Sequence, residues 1–439
     1  MAQFLELVKA YSSTLRSLIF HTRLSAFTNP WSALATCPKL DKLDLKGVTV
    51  QSQDWTLFSQ VSTNVHHLSL TNIDLLQESI GAIDDATIYT CIGNNTSPPR
   101  LRKLTLEGLL NTYSGQFPNE IVALIRMCHD LESLRWRTYK LPGGSGNFPS
   151  VRHINGCACP KLFNELLKSP WPLTALKSLD ISHACLEDEE MASLLDRIRQ
   201  LKTLKMSSTL FGPLSLQALT EERRALTRDG ISGLIISQPR RLCNSIKFLN
   251  TDNCRNVTGT MIQTILESCP DLRGLSAGKV TVTEMAQGQS WACSKLEQLT
   301  IFLVADDDGD KRNEAYGTTS VRFMRLQQLV FERLNTLTNL QKLVLTNDRV
   351  RRRELRRIKT LDLRVDAGLG ILTNLKNLRT LYFKSDIPQM MDIEEAVWIA
   401  KHWPRLSYMV GPWNQDKAVC HSMNKILKYV RNREPDRHK

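Results

Sequence analysis

Residues 249–275, LNTDNCRNVTGTMIQTILESCPDLRGL, contain one unit of a pattern that recurs along this chain of 439 residues. The stretch passes from an apolar start through a polar turn at Cys254 into an apolar-periodic run over 257–267. It closes on Cys269 and, three residues later, on Leu272. Apolar residues three or four positions apart predict an amphipathic helix over 257–267. The two cysteines could form a metal or thiol site, or they could mark fixed positions of a repeated unit.

The motif L-x-x-L-x-apolar, with Ile, Val or another apolar residue replacing Leu in some copies, favours the repeat. It begins at residues 15, 40, 65, 101, 131, 176, 201, 246, 272, 296, 340, 358 and 378, with a weaker candidate at 151. Several intervals are close to 25 residues, a spacing typical of leucine-rich repeats. Longer intervals are interpreted as insertions or degenerate units. The sequence therefore predicts an α/β leucine-rich-repeat solenoid over residues 1–410, of about 13 or more units.

Burial explains why the units stack. The first, fourth and sixth residues of each motif should point into the core, because strand side chains alternate. A return helix follows, for example over 187–199 or 257–267. A single unit cannot bury its own apolar face, so neighbouring units share one core. We expect a curved parallel sheet on the concave side, with helices and irregular turns on the convex side.

The cysteines fit fixed repeat positions better than a metal site. The chain has eleven, and five of them lie three residues before a leucine: Cys37, Cys128, Cys159, Cys269 and Cys293. A small apolar thiol at one repeat phase is a packing choice, since free cysteine is among the most buried residue types. The N-terminal stretch carries charges inside its apolar residues and is not a secretory signal. We therefore expect reduced cysteines and a cytoplasmic or nuclear protein.

Residues 249–275 resemble the cysteine-containing class of leucine-rich repeats. The likeness rests on Cys254 after the strand, Val257 and Thr258 opening the helix, and Cys269-Pro-x-Leu272 closing it. The array is similar to that of F-box/LRR proteins, particularly the fungal members, and covers about residues 15–410. The resemblance implies that the repeats hold a substrate. In that family, an F-box motif binds the adaptor of a cullin–RING ubiquitin ligase.

The chain departs from that family at its N-terminal end. Its first strand-like motif begins at Leu15, which leaves no room upstream for a motif of about 40 residues. The F-box-like string FPNEIVALI (117–125) lies between the motifs at 101 and 131, where a repeat helix is expected. The F-box is therefore expected to be absent or to lie outside this chain. A cullin–RING adaptor is a partner only in the second case.

Charge suggests two alternative functions. The net charge is +13, and residues 311–364 hold 14 Lys and Arg against 5 Asp and Glu. Nucleic-acid or nuclear binding could act through this region, which contains RVRRRELRR (349–357), although a solvated basic surface explains it as well. The missing interleaved aromatic residues disfavour nucleic acid. A small-GTPase regulator is the other alternative, but the uneven repeat spacing and the basic tail argue against it.

Catalytic and cofactor patterns are incomplete throughout. Cys157 and Cys159 lack a second ligand pair for zinc, and LPGGSGNF (141–148) lacks the Lys of a phosphate-binding loop. The acidic stretch at 305–317 fails the calcium-loop spacing and is predicted to be an inserted loop. No apolar run reaches membrane-spanning length. We expect no enzyme activity, no cofactor and no membrane segment.

A partner should bind the outward strand positions on the concave side. The candidate binding residues are mostly basic and favour a protein partner with an acidic segment: Lys42, Lys46, Lys103, Arg135, Arg137, Lys205, Lys342, Arg364, Tyr382 and Lys384. The same positions would also be polar in any soluble solenoid. Residues 411–439 are expected to form a capping helix and a basic tail, with Trp398, Trp403 and Trp413 covering the last repeat.

Overall fold

A computed structural model describes most of the chain. The described residues are 2–21, 30–47, 49–51, 54–71, 74–76, 100–107, 124–125, 128–137, 173–184, 186–228, 235–305, 321–346, 360–383 and 389–432. They fall into two compact units, Met1–Leu219 and Thr220–Lys439.

The first unit is built on parallel strands that follow the predicted motifs. The strands are β1 (Ser17–His21), β2 (Lys42–Lys46), β3 (Thr49–Gln51), β4 (His67–Thr71), β5 (Asp74–Leu76), β6 (Lys103–Glu107), β7 (Ser133–Arg137), β8 (Ser178–Asp180) and β9 (Thr203–Lys205). The helices are α1 (Ala2–Ala10), α2 (Pro30–Ala35), α3 (Trp55–Asn64), α4 (Asp188–Arg197) and α5 (Pro213–Thr220), with a 3-10 turn at Leu173–Ala175. Apart from β3 and β5, which pair with each other, these strands join in the order β1-β2-β4-β6-β7-β8-β9.

The second unit begins with an antiparallel pair, β10 (Arg223–Arg228) and β11 (Ile235–Arg240). Its parallel strands are β12 (Phe248–Asn250), β13 (Gly274–Thr281), β14 (Gln298–Val304), β15 (Lys342–Val344), β16 (Thr380–Tyr382) and β17 (Tyr408–Val410). Its helices are α6 (Gly259–Ser268), α7 (Val282–Ala286), α8 (Val321–Asn335), α9 (Ile393–His402) and α10 (Lys417–Asn432), with 3-10 turns at Leu242–Asn244 and Leu369–Ile371.

The leucines align across neighbouring strands, as the repeat requires. In the first unit the aligned core residues are Leu43, Leu68, Leu104, Leu134, Leu179 and Leu204, and in the second unit they are Leu249, Leu275, Leu299, Leu343, Leu381 and Met409. Each of them is buried. Stacked parallel strands with return helices confirm the predicted α/β leucine-rich-repeat solenoid.

The quoted unit itself forms as expected. Leu249 lies on β12, the return helix is α6, and Leu275 lies on β13. Thr258 caps α6, because its hydroxyl accepts a hydrogen bond from the backbone N–H of Met261 at 3.3 Å. The side chain satisfies one of the N–H groups that a helix start leaves unpaired.

Four of the five cysteines at the repeat phase lie in the core as predicted, and the fifth, Cys159, lies outside the described residues. Cys37, Cys128, Cys269 and Cys293 are at most 1% exposed, and Cys243 takes the same place before Ile246. The thiol of Cys128 donates a hydrogen bond to the carbonyl of Leu124 at 3.0 Å, and burial raises its pKa to about 12. Packing and local hydrogen bonding therefore account for these residues.

One predicted strand is wrong. Of the motif at 358–363, the described residues 360–363 form no strand, and β15 pairs directly with β16. Side chains satisfy its backbone instead: the N–H of Asp362 donates to Gln327 Oε1 at 2.7 Å, and the N–H of Leu363 donates to Gln389 Oε1 at 2.8 Å. Leucine burial is retained in this segment although sheet pairing is lost.

Several predicted segments lie outside the described residues. They include the weak motif at 151, nearly all of the acidic stretch at 305–317 and the basic run at 349–357. Of the string at 117–125, the described residues Leu124 and Ile125 are helical and buried. The tail at 433–439 also lies outside them.

Tryptophans and a long helix follow the last strand. Trp403 is 2% exposed and Trp413 is 7% exposed, while Trp398 stacks on His402 with ring centroids 4.5 Å apart. The helix α10 buries Met423 and Leu427. Among the described residues, no helix combines the length and the apolar character that crossing a membrane requires.

Candidate functional site

Strand pairing in the first unit arranges the outward side chains in straight columns. We call this surface the strand face; it comprises the outward residues of β1, β2, β4, β6, β7, β8 and β9. The column of first strand residues is Ser17, Lys42, His67, Lys103, Ser133, Ser178 and Thr203. The next column is Ile19, Asp44, Ser69, Thr105, Arg135, Asp180 and Lys205. Adjacent members of a column are about 4.8 Å apart.

The structure divides the predicted binding residues between the two units. Those on the strand face of the first unit are Lys42, Lys46, Lys103, Arg135, Arg137 and Lys205, each at the outward position predicted for it. Lys342 and Tyr382 are outward on β15 and β16 of the second unit. Lys384 lies outside the described residues.

Arg364 does not occupy the position that the sequence predicts for it. It was predicted to be an outward strand residue, but its segment forms no strand and it does not belong to a strand column. Its guanidinium instead donates to Asp362, with Nη2 2.7 Å from Oδ2. Hydrogen bonding to Asp362 raises the pKa of Arg364. The side chain therefore holds the turn that follows Leu363 in place.

Two arginines and two carboxylates form the densest charged group on the strand face, which we call the arginine cluster: Glu107, Arg135, Arg137 and Asp180. Arg137 donates from Nε and Nη2 to Asp180 Oδ2, at 3.2 and 2.7 Å. Arg135 lies between the carboxylates, with Nη1 3.6 Å from Glu107 Oε1 and Nε 3.5 Å from Asp180 Oδ2. The cluster therefore joins β6, β7 and β8 through charge.

Asp180 is the buried member of the cluster. It is 4% exposed although it occupies an outward column, and both arginines contact its carboxylate. Its Oδ1 also accepts the backbone N–H of Ser182 at 3.3 Å. A buried carboxylate is costly unless charge and hydrogen bonds compensate it, so Asp180 fixes the arginines where they stand.

A second group on the strand face is cationic rather than balanced. Lys42, His67 and Lys103 are consecutive members of the first column, and we call them the cationic row. The pKa of His67 is lowered first by partial burial, then by Lys103, and to smaller extents by His66 and Lys42, while Asp41 opposes them less strongly than Lys103 acts. The row therefore places two charged lysines on either side of a histidine that is mostly uncharged near neutral pH.

The outward strand residues of the second unit are nearly neutral and include aromatic side chains that the sequence prediction missed. Phe248 is 39% exposed and its ring covers Gly274 on the next strand, while Tyr408 is 55% exposed. Phe248 falls at the third position of its motif, which the alternation rule marks as outward. Tyr408 belongs to a strand whose motif was not recognised.

The described residues offer no metal centre, since they contain no group of three or more His, Cys, Asp or Glu side chains placed to hold an ion. The strand face of the first unit provides ordered charge, and the outward strand residues of the second unit provide exposed aromatic side chains. Such surfaces are typical of macromolecular recognition.

Comparisons with known proteins identify no family and find only distant structural likenesses. No family model and no curated protein matches the chain. An internalin from Listeria monocytogenes is 14% identical and aligns over 96% of this chain and 87% of its own, with a TM-score of 0.46. The TLR13–ssRNA13 complex has 14% identity, covers 95% of this chain and 54% of that one, and gives a TM-score of 0.41. LegL7 of Legionella pneumophila, a leucine-rich-repeat protein, has 10% identity, coverages of 95% and 98%, and a TM-score of 0.31. Likenesses this distant carry no functional argument.

Proposed function

We propose that this chain is a non-enzymatic protein-binding module whose strand face holds a partner with an acidic segment. The observation that supports this most is the arginine cluster, in which Glu107 and Asp180 hold Arg135 and Arg137 on the outward side of β7. Lys42, Lys46, Lys103 and Lys205 surround it on the same face. Within the second unit, considered by itself, Lys342, Tyr382 and Lys384 are the proposed binding residues.

Arg135 is both partly exposed and held in position by its neighbours, and both properties favour binding of a partner. Its side chain is 44% exposed. Its contacts with Glu107 and Asp180, at 3.6 and 3.5 Å, are ion pairs rather than close hydrogen bonds. A guanidinium carries five N–H donors and binds a carboxylate through two of them. Because the two carboxylates already order the side chain, less conformational entropy is lost when a partner binds.

The resemblance to F-box/LRR proteins also bears on which protein the partner is. The resemblance to F-box/LRR proteins suggests a substrate of a ubiquitin ligase, held by the repeats. Recruitment of the cullin–RING adaptor would require an F-box outside this chain. Because the adaptor joins only through an F-box outside this chain, its presence in cellular complexes that contain both this chain and the captured substrate would support this role. Its absence from every complex that contains both would contradict it.

Charge reversal on the strand face tests the binding proposal. The variant R135E/R137E/K205E should lose the partners captured by affinity purification, measured by quantitative mass spectrometry. A milder variant, R135Q/K205E, keeps the Arg137–Asp180 hydrogen bonds and should still lose most of the capture. Binding of the captured partner to the purified chain should also weaken as salt rises, since exposed charges are screened.

The matched control reverses three exposed basic residues of the first unit that lie outside the proposed surface, R16E/K39E/K202E. Net charge changes equally in the control and in the triple variant, so a general charge effect would reduce capture in both. Melting temperatures of all three variants show whether each remains folded. Partner capture that survives R135Q/K205E and R135E/R137E/K205E would contradict the proposal.

A further inference from the structure

Three cysteines lie at the same position of three consecutive repeats in the second unit. Cys243, Cys269 and Cys293 each stand five residues before the first residue of a strand, β12, β13 and β14 in turn. Strand pairing aligns those first residues with one another. All three side chains are fully buried, and each carries a free thiol. The repeat therefore stacks the three thiols in one line inside the core.

Stacking brings the first two thiols close enough to interact. The thiol groups of Cys243 and Cys269 share a hydrogen bond. Neighbouring parallel strands are about 4.8 Å apart, and the Cα atoms of a disulfide are usually about 4.4–6.8 Å apart. Two cysteines placed one repeat apart can therefore be joined without a large movement of the backbone.

The surroundings make Cys243 the more reactive thiol of the two. Its pKa is lowered, first because the Cys269 thiol donates a hydrogen bond to the thiolate and then, against the effect of burial, by the charge of Arg241. The hydrogen bond to Cys243 and burial raise the pKa of Cys269 well above its usual range. Since the thiolate is the form that attacks an oxidant, Cys243 should react first.

Cys243 also lies close to the surface, although its side chain is buried. It belongs to the 3-10 turn Leu242–Asn244, and both Arg241 and Asn244 are exposed. Its Sγ lies 3.7 Å from the side-chain Oδ1 of Asn244. Opening of this short turn, without opening of the whole core, is enough to admit a small oxidant to the sulfur.

We propose that Cys243 and Cys269 are an oxidation-sensitive pair, which hydrogen peroxide converts into a disulfide that joins two consecutive repeats. This inference does not depend on the strand face or on the partner proposed for it.

The reaction has two steps. The Cys243 thiolate attacks one peroxide oxygen, the O–O bond breaks, and the hydroxide released takes up the proton that Cys243 lost, which gives water. Cys243 is then a sulfenic acid, and the sulfur of Cys269 attacks its sulfur. The S–S bond forms, the S–O bond breaks, and the leaving hydroxide takes the Cys269 proton, which gives a second water. Two thiols together lose two electrons, and one peroxide is reduced.

The disulfide would fasten one complete repeat. Cys243 precedes β12, and Cys269 is the residue that follows α6, so the bond closes a loop that contains both elements. A cross-link between the ends of a segment restricts its opening. Amide hydrogen exchange over 259–268 should therefore be slower in the oxidised chain than in the reduced chain.

Mass spectrometry of the full chain after graded treatment with hydrogen peroxide tests the pair. Trypsin places the three cysteines in separate peptides, 242–247, 256–273 and 280–295, so each linkage has its own mass. After alkylation of the remaining thiols, we expect 242–247 joined to 256–273 within a single chain on a non-reducing gel. No linkage, a linkage of Cys269 to Cys293, or a linkage between two chains would overturn the proposal.

Cys128 is the internal control. It is as buried as the pair, and burial raises its pKa to about 12. We expect its free thiol to be lost at least about tenfold more slowly than that of Cys243, the effect of one pKa unit on the thiolate fraction. Equal rates of loss would show that peroxide does not select the pair.

Two matched variants separate the roles of the thiols. Cys269→Ser should abolish the disulfide and leave Cys243 as a sulfenic acid, which a dimedone probe labels. Cys293→Ser, the same change one repeat further along, should keep the wild-type linkage. Equal loss of the linkage in both folded variants, or no dimedone label on folded Cys269→Ser, would contradict the assigned roles. If either variant melts at a lower temperature than wild type, the wild-type peptide masses decide the question.

Discussion

Asp188 on α4 accepts two hydrogen bonds from Ser215 on α5, one from the backbone N–H at 3.0 Å and one from the hydroxyl at 2.5 Å. The same carboxylate accepts the backbone N–H groups of Gly212 and Leu214 at 2.8 and 2.9 Å. These N–H groups belong to the start of α5, which has no intrahelical partners for them. One repeat therefore caps the helix of the next repeat through a single side chain.

Replacing that carboxylate should loosen α5. Asp188→Ala leaves the helix start without its acceptor, and we expect a loss of roughly 1–3 kcal/mol in unfolding free energy. Hydrogen–deuterium exchange of a peptide covering 212–220 should quicken, and chemical denaturation should show the loss. Glu189→Ala, at the exposed neighbouring position, is the control and should change both measurements little. Similar exchange in the two variants would show that Asp188 is not the cap.

Two glycines of the second unit should respond in opposite ways to alanine. A Cβ at Gly411 would overlap both the ring and the carbonyl oxygen of Phe383, whereas one at Gly278 would meet no atom within 4 Å. Gly411→Ala should therefore destabilise the chain by about 1–3 kcal/mol through overpacking. Gly278→Ala should be neutral or stabilise by about 0.5 kcal/mol, because it restricts the unfolded chain. Denaturation midpoints of the two variants compare them directly, and equal midpoints would contradict the overlap.

The spacing of leucines was sufficient to predict most of the parallel strands, because each motif must bury three residues in register with its neighbours. The same pattern predicted a strand at 358–363, whose described residues 360–363 form none. There, Gln327 and Gln389 supply the hydrogen bonds that a neighbouring strand would otherwise make. Leucine periodicity reports burial, and it does not report which group satisfies the backbone.

The binding surface was harder to predict than the fold. Alternation predicts correctly that Arg135 and Arg137 point outward, but it cannot show that Glu107 and Asp180 from adjacent strands neutralise much of their charge. Those carboxylates lie 28 or more positions from Arg135 in the sequence and meet it only through strand register. A surface that seemed simply basic in the sequence is thus a balanced cluster beside an unbalanced row.

His67 should give the strand face a measurable pH dependence. Its pKa in the folded chain is lowered by partial burial and by Lys103 and Lys42, so the unfolded chain binds the proton more readily. This contribution to stability is complete above the ordinary histidine pKa of about 6.5, and it is lost as pH falls through the folded value. NMR titration of the imidazole should place the midpoint below 6.5.

Substitution of a neighbour tests the cause of that shift. Lys103→Gln removes one of the charges that oppose protonation, and it should move the titration midpoint of His67 upward. Lys39→Gln, which removes an exposed charge elsewhere in the unit, should leave the midpoint in place. A midpoint at or above 6.5 in the wild-type chain would show that neither burial nor the lysines depress the pKa.

Trp403 takes the place of the repeat cysteine in the last unit. Trp403-Pro404-Arg405-Leu406 matches Cys269-Pro270-Asp271-Leu272 in position, and Leu406 precedes β17 as Leu272 precedes β13. The motif does not fit β17, because Met409 occupies its fourth position, which is Leu in all thirteen copies, and Gly411 occupies its sixth. The side chain of Trp403, which is larger than the cysteine it replaces, fills the core beside β17. Its indole Nε1 donates to the carbonyl of Leu372 at 2.9 Å, and its ring meets Trp398 edge to face at 5.3 Å.

If Trp403 closes the core of the second unit, truncating it should lower the unfolding free energy more than truncating Trp398 does. We expect Trp403→Ala to lower the unfolding free energy by about 3–5 kcal/mol, the usual cost of truncating a buried aromatic residue. Trp403→Phe keeps most of the apolar contact and loses the hydrogen bond, and should cost about 1–2 kcal/mol. The control is Trp398→Ala, which truncates a half-exposed ring next to it and should cost clearly less than Trp403→Ala. Guanidinium denaturation followed by circular dichroism measures all three, and equal losses for the two alanine variants would refute a closing role for Trp403.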